Sequence, residues 1–170
     1  MKENLLYEER VSSQRTTALF AALAVISILL FVWQLVSGRA GFLRYLLLFL
    51  VIFFLFSTLN YRTLLIRLTP QALGLKFGVF SWTVPLSNVA ACRLDDLPWV
   101  MRNGGAGVHF MMIRGRYRVS FNVLEFPRVV IALRQRVGPV VDVSFTTQRP
   151  DEVIERLKRA AGLETAVWES

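Results

Sequence analysis

From residue 16 to residue 61 apolar side chains run almost without interruption, and from residue 63 the pattern changes to short alternations of apolar and polar positions. The first run, residues 16–38, has no charged side chain in 23 positions. About 20 apolar residues at 1.5 Å rise are enough to cross the hydrocarbon core of a bilayer, so this run predicts a transmembrane helix. The second, residues 42–61, includes 17 uncharged positions from Tyr45 to Tyr61, which cover about 25 Å. Arg44 can snorkel to the interface and make that span adequate. The link between them holds Gly38, Arg39 and Gly41, and a connection so short leaves antiparallel neighbours as the reasonable arrangement. A cleaved signal peptide is disfavoured, because the first run exceeds the usual hydrophobic stretch and lacks a small-residue cleavage pattern.

Beyond the hairpin the period drops to two. Leu73, Leu75 and Phe77 alternate with Gly74, Lys76 and Gly78; Val119, Phe121 and Val123 alternate with Arg118, Ser120 and Asn122; Val141, Val143 and Phe145 alternate with Asp142, Ser144 and Thr146. These read as half-buried antiparallel strands. Turn signals at Pro70, Gly78, Pro85, the GGAG of residues 104–107, Gly115, Pro127 and Gly138-Pro139 separate them, which gives seven or eight short strands and suits a small sandwich or open barrel. A helix follows. Pro150 suits its first position, Asp151 and Glu152 its first turn, Lys158 and Arg159 its last, and Gly162 its end. Val153, Ile154, Leu157, Ala160 and Ala161 form one apolar stripe that must cover an open end of the sheet.

A strand-rich domain of this size closed by one carboxy-terminal amphipathic helix, directly after a two-helix anchor, resembles the prokaryotic membrane-anchored pleckstrin-homology-like proteins. The residues that carry the resemblance are Thr69, Gly74 and Gly78, the turn Pro85, Leu86, Ser87, Asn88 and Val89, and the helix start Pro150, Asp151 and Glu152. The resemblance implies a two-helix transmembrane hairpin followed by a mainly-β pleckstrin-homology-like domain of seven or eight antiparallel strands, capped by one C-terminal α-helix. It divides the chain into an N-terminal segment 1–15, a hairpin 16–62, a β domain 63–162 and a tail 163–170. The insert 97–108 has no counterpart in that pattern.

Charge sets an expected orientation. Lys2, Arg10, Arg15, Arg62 and Arg67 flank the hairpin on its open side, against Arg39 and Arg44 at the link, so the positive-inside rule places both termini in the cytoplasm of a cell (inner) membrane protein. The lone Cys92 cannot form an intrachain disulfide and agrees with a reducing compartment. The whole chain carries +8, and residues 62–170, with 15 basic and 9 acidic side chains, carry +6, which suits a domain held beside anionic lipid. Nucleic acid is not expected as a partner, since no recognition helix or metal knuckle is present. The expected partners are the bilayer, anionic headgroups, and another membrane protein or a second copy.

Catalysis has little to stand on. His109 is the only histidine, and Asp95-Asp96 has no second carboxylate pair or histidine nearby in sequence, so a small membrane enzyme using Asp95, Asp96 and His109 is the least favoured reading. The glycines of residues 104–107 read as a loop, because no lysine and hydroxyl pair follows them. No charged residue lies between the flanking arginines of either span, which disfavours transport. Neither a metal nor a cofactor is expected. The clearest polar cluster is Arg114, Arg116 and Arg118 around the turn residue Gly115. Arg116 and Arg118 share one strand face, and guanidiniums grip phosphates two-pronged. That hairpin is either a solvated turn, a headgroup contact or a partner site. The function expected is that of a noncatalytic membrane-anchored binding or assembly module, with an anionic headgroup sensor as the alternative.

Overall fold

The computed structural model describes residues 5–38, 41–96 and 106–163. Two antiparallel helices, α1 (Gln14–Val36) and α2 (Phe42–Asn60), occupy the apolar runs, and both are long and apolar enough to cross a membrane. The Ser13 hydroxyl caps α1 by accepting from the Thr16 amide at 2.9 Å. The buried side chains of the helices are mostly small or polar, Thr16, Ala24, Ser27 and Gln34 on α1 and Ser57 and Asn60 on α2, with Leu47 as a large apolar member. Leu29, Trp33, Phe49 and Ile52 face outward. An apolar exterior over a tight small-residue seam is the inverse of a soluble bundle and suits lipid. Ala18 and Ala22, spaced as a small-residue pair, lie outside that seam.

A strand precedes the helices. β1 (Tyr7–Ser12) pairs antiparallel with β2 (Thr63–Leu68), in register from Tyr7 opposite Leu68 to Ser12 opposite Thr63. The helix hairpin is therefore an insertion between two neighbouring strands of one sheet, and part of the N-terminal segment 1–15 belongs to the folded domain. β3 (Ala72–Phe77) and β4 (Phe80–Pro85) complete a four-stranded antiparallel sheet in the order β1-β2-β3-β4. A short helical turn at Leu86–Asn88 leads into β5 (Val89–Leu94) of a second sheet. Its other members are β6 (Gly107–Ile113), β7 (Arg116–Asn122), β8 (Arg128–Val137) and β9 (Val140–Thr146), in the order β5-β8-β9-β7-β6.

Two expectations change here. The described residues form nine strands rather than seven or eight, and the second sheet is mixed, since β7 and β9 run parallel. The β8–β9 hairpin docks its second strand against β7 in the same direction, a pairing that alternation along one strand does not encode. The loop expected at Gly104 and Gly105, and most of the insert 97–108, lie outside the described residues; Gly107 and Val108 open β6.

Both sheets contribute to one core, with Leu64, Ile66, Leu75 and Phe77 from the first, and Val119, Phe121, Ile131, Val143 and Phe145 from the second. The C-terminal helix α3 (Pro150–Ala160) closes it with Val153 and Leu157. It is also tied to the opposite end of the chain. Arg149 and Arg156 stand over the Tyr7 ring, and Arg156 donates to the Leu6 carbonyl at 2.8 Å. Glu9 of β1 is buried and accepts from the hydroxyls of Tyr7 and Thr147 and from the Gln148 amide, fixing the approach to α3. Phe121 and Phe145 are at most 1% exposed, so changing either to alanine leaves a large cavity and costs about 3–5 kcal/mol. Thermal unfolding of each variant in detergent checks this, and an unaltered midpoint would contradict the packing described.

Candidate functional site

The alternation along β7 and β9 divides their side chains between two faces, and both faces are buried. Arg118, Ser120 and Asn122 on β7, Asp142, Ser144 and Thr146 on β9, and Arg128 on β8 are each at most 3% exposed. Their side chains meet because the cross-strand register aligns them: Arg118 lies opposite Asp142, Ser120 opposite Ser144 and Arg128 opposite Thr146. Asp95, just beyond β5, joins from the far edge, held there by its amide donating to the Arg128 carbonyl at 2.8 Å.

Three guanidiniums share two carboxylates. Arg128 Nε approaches Asp95 Oδ2 at 2.7 Å, and Arg118 Nη1 donates to both Asp95 oxygens at 3.2 and 3.3 Å. Arg118 Nη2 lies 3.8 Å from Asp142. Arg116 grips Asp142 two-pronged, at 2.9 Å through Nε and 2.7 Å through Nη2. Those hydrogen bonds raise the Arg116 guanidinium above its ordinary value. Behind the ions, Ser144 donates to Ser120 at 3.0 Å. A cavity of about 280 Å³ adjoins the network, lined by Ala91, Arg93, Arg116, Val130, Ala132 and Asp142.

The three arginines expected to act together thus have different roles. Arg118 is withdrawn from solvent and spent on Asp95 and Asp142; Arg116 is half-exposed but clamped on Asp142; Arg114 is exposed, 3.8 Å from Asp96. Arg114 and Gly115 have positive φ values of 50° and 76°, the left-handed pair of a tight two-residue hairpin turn. The turn also points away from the helices. At the other end of the β6–β7 ladder, Gly107 packs against the Tyr61 ring, and beyond Asn122 the Leu124 amide donates to Thr16 of α1 at 3.3 Å. Six residues of strand then place Arg114 about 20 Å from that junction.

Asp95 and His109 come to one face of the sheet, while Asp96 turns out to solvent and pairs with Arg93 at 3.1 Å. Its own backbone amide, and then the Arg93 and Arg114 charges, hold the Asp96 carboxyl below its ordinary range. His109 stands half-buried on β6 opposite the fully buried Ser120, with a backbone contact at Gly107. Burial pushes the Cys92 thiol up to about 12, which removes its nucleophilicity at neutral pH. The described residues contain no cluster of histidine, cysteine and carboxylates able to hold a metal ion.

The junction between helices and sheet is the second polar region. Asn60, the last residue of α2, is buried and accepts through Oδ1 from the Val79 amide at 2.8 Å. Gly78 stands so close that a Cβ there would lie 2.0 Å from that same oxygen, and its φ is +60°. Tyr61 packs edge-on to Phe77, stacks on Phe80 and lies tilted against Phe20. On the α1 side the Arg15 amide donates to Glu125 at 2.9 Å. Beside these contacts lies a larger cavity, about 540 Å³, lined by Ser12, Ser13, Gln14, Thr17, Ala18, Ala21, Arg62 and Thr63. None of its lining residues stood out in the sequence as a site; only the proximity of Arg62 to the end of the second apolar run pointed there.

Comparison with protein-family models, with curated proteins and with solved structures returned no match.

Removing the Asp95 charge leaves Arg118 and Arg128 buried without their shared carboxylate, so Asp95→Asn is expected to cost about 3–5 kcal/mol. Asp96→Asn leaves the unfolding midpoint in place, since its partner is solvent-exposed. Equal midpoints for the two variants would contradict the network. His109 supplies a pH test. Burial, and then the Arg128 charge, push its imidazole below the ordinary value, against an opposing backbone bond at Gly107. The unfolded chain then takes up the proton first, so the stabilisation is complete above about pH 6.5 and is lost as pH falls through the folded-state value. The unfolding midpoint should drop on acidification below about pH 6.5, and His109→Gln should flatten that part of the profile; an unchanged profile would mean a solvated ring.

Proposed function

We propose that the chain is a two-pass membrane protein whose helix hairpin holds a noncatalytic, pleckstrin-homology-like β domain against one face of the bilayer, as a binding or assembly module. The observation that carries this reading is the pairing of β1 with β2. Strands that leave and re-enter the hairpin as direct neighbours support an arrangement in which both ends of the chain share one side of whatever the hairpin crosses. The flanking charge count makes that side the cytoplasm. The likeness to pleckstrin-homology domains is supported by the two sheets around a single core and the C-terminal helix across it, with an extra strand from before the helices and a parallel pair as departures.

A binding role is favoured over catalysis because the polar side chains gathered on the second sheet are locked in mutual ion pairs and buried. A headgroup sensor built on Arg114, Arg116 and Arg118 is disfavoured by their placement: two are committed to Asp142, and the turn lies at the end remote from the helices. Alkaline carbonate washing of native membranes, combined with a reporter fused after Ser170, tests the reading. The chain is expected to stay in the membrane pellet with a reporter active in the cytoplasm; release by carbonate, or activity of a periplasm-dependent reporter, would overturn it.

A further inference from the structure

The 540 Å³ cavity at the junction is graded in the same direction as a bilayer leaflet. Its upper wall comes from Ser12 and Thr63, at the paired ends of β1 and β2, and from Arg62; its lower wall comes from Ala18 and Ala21 on α1. Seven residues of helix separate Gln14 from Ala21, about 10 Å along the axis, the interval from a headgroup to the first acyl carbons.

The charge in the cavity is that of Arg62. Its side chain is exposed, no acidic residue lines the cavity, and no ion pair engages it among the described residues. The Thr16 and Arg15 amides at the start of α1 are already used, by Ser13 and by Glu125 respectively. The Ser13 hydroxyl donates to Thr16 and the Thr17 hydroxyl to the Ser13 carbonyl, so both protons are committed. The hydroxyl of Ser12 and the carboxamide of Gln14 have no intramolecular partner among the described residues, and with the Arg62 guanidinium they line one cavity as donors.

We propose that this cavity seats a single membrane phospholipid, with its phosphate on Arg62, Ser12 and Gln14 and the first carbons of its chains against Ala18 and Ala21. The inference rests on the membrane-anchored reading above. A guanidinium presents two parallel donors to a phosphate. The lining offers no carboxylate to an amine headgroup, so phosphatidylethanolamine would set its ammonium near the Arg62 guanidinium with no counter-charge from the protein. A glycerol headgroup has only hydroxyls, which the remaining oxygen lone pairs of Ser13 and Thr17 can accept. The site therefore selects an anionic, polyol-headed lipid such as phosphatidylglycerol.

Native mass spectrometry of the full-length protein, titrated in detergent with phosphatidylglycerol, phosphatidylethanolamine or soluble glycerophosphoglycerol, tests this. One phosphatidylglycerol per chain is expected, bound about tenfold more tightly than phosphatidylethanolamine, a ratio matching one charge-assisted interaction. Arg62→Gln should abolish the preference and Arg62→Lys should restore part of it. Ala18→Phe, at an exposed position, should fill the apolar end and weaken both lipids without moving the unfolding midpoint. Equal binding of the two lipids, or a preference that survives Arg62→Gln, would overturn the site. Displacement of the lipid by equimolar glycerophosphoglycerol would also overturn it, by showing a site for the free phosphate compound. Retention in carbonate-washed membranes alongside equal lipid binding would defeat the lipid site alone, whereas release by carbonate would defeat the membrane reading and the site together.

Discussion

The structure depends on the hydrogen-bonded pairing of β1 with β2, two strands separated in sequence by the whole helix hairpin. A β domain that merely followed its anchor could swing on the connecting residues. Here both ends of the hairpin are built into one sheet: one residue, Ser13, separates β1 from α1, and two, Tyr61 and Arg62, separate α2 from β2. The helices and the sheet thus share their boundary residues. Asn60 at the end of α2 holds the β3–β4 turn through the Val79 amide, and Thr16 at the start of α1 holds the connection after β7. Closing so long an insertion costs little additional entropy once its two helices are packed on each other.

That constraint passes into the rest of the domain. Glu9 sits on β1 and reaches Thr147 and Gln148, so the strand before the helices also fixes the segment leading to α3. α3 in turn covers the core with Val153 and Leu157 and returns Arg156 to the Leu6 carbonyl. The first and last described elements are bound to each other. The second sheet is held differently, by ionic pairing on the face away from the core. A buried network of this kind contributes less to net stability than its distances suggest, because each ion has left water. Its greater effect is on register: Arg118 and Asp142 can meet Asp95 and Arg128 only if β7, β9, β8 and β5 lie in one alignment.

Much of this was legible in the sequence. The expected spans 16–38 and 42–61 differ from α1 and α2 by two residues or fewer, because long apolar runs carry strong signals. The strands around Leu75, Phe121 and Phe145 and the closing helix also lie where period and capping placed them. β1 was not legible. Its inward positions are Tyr7, Glu9 and Val11, and a carboxylate at the centre of the inward set hides the alternation; its partner lies more than fifty residues away. The polar face of the second sheet was half-legible: alternation assigns Arg118, Ser120 and Asn122 to one face but cannot say whether that face meets water. Asp95 and Asp142 reach Arg118 through strand order, which no local pattern encodes, and the arginine hairpin therefore looked solvated from sequence. The junction cavity has no sequence signature, since its lining comes from residues on both sides of the hairpin.

The most direct test of this account is a disulfide across β1 and β2 in the intact chain within its native membrane. With Cys92 replaced by serine, Glu8→Cys and Arg67→Cys place two thiols at directly opposed, outward-facing positions, within the reach of a disulfide. Mild oxidation should link the two peptides in most molecules, whereas Glu8→Cys with Lys76→Cys, one strand further across the sheet, should stay reduced. Failure of the first pair to link, or equal linkage of both pairs, would contradict a hairpin inserted between neighbouring strands.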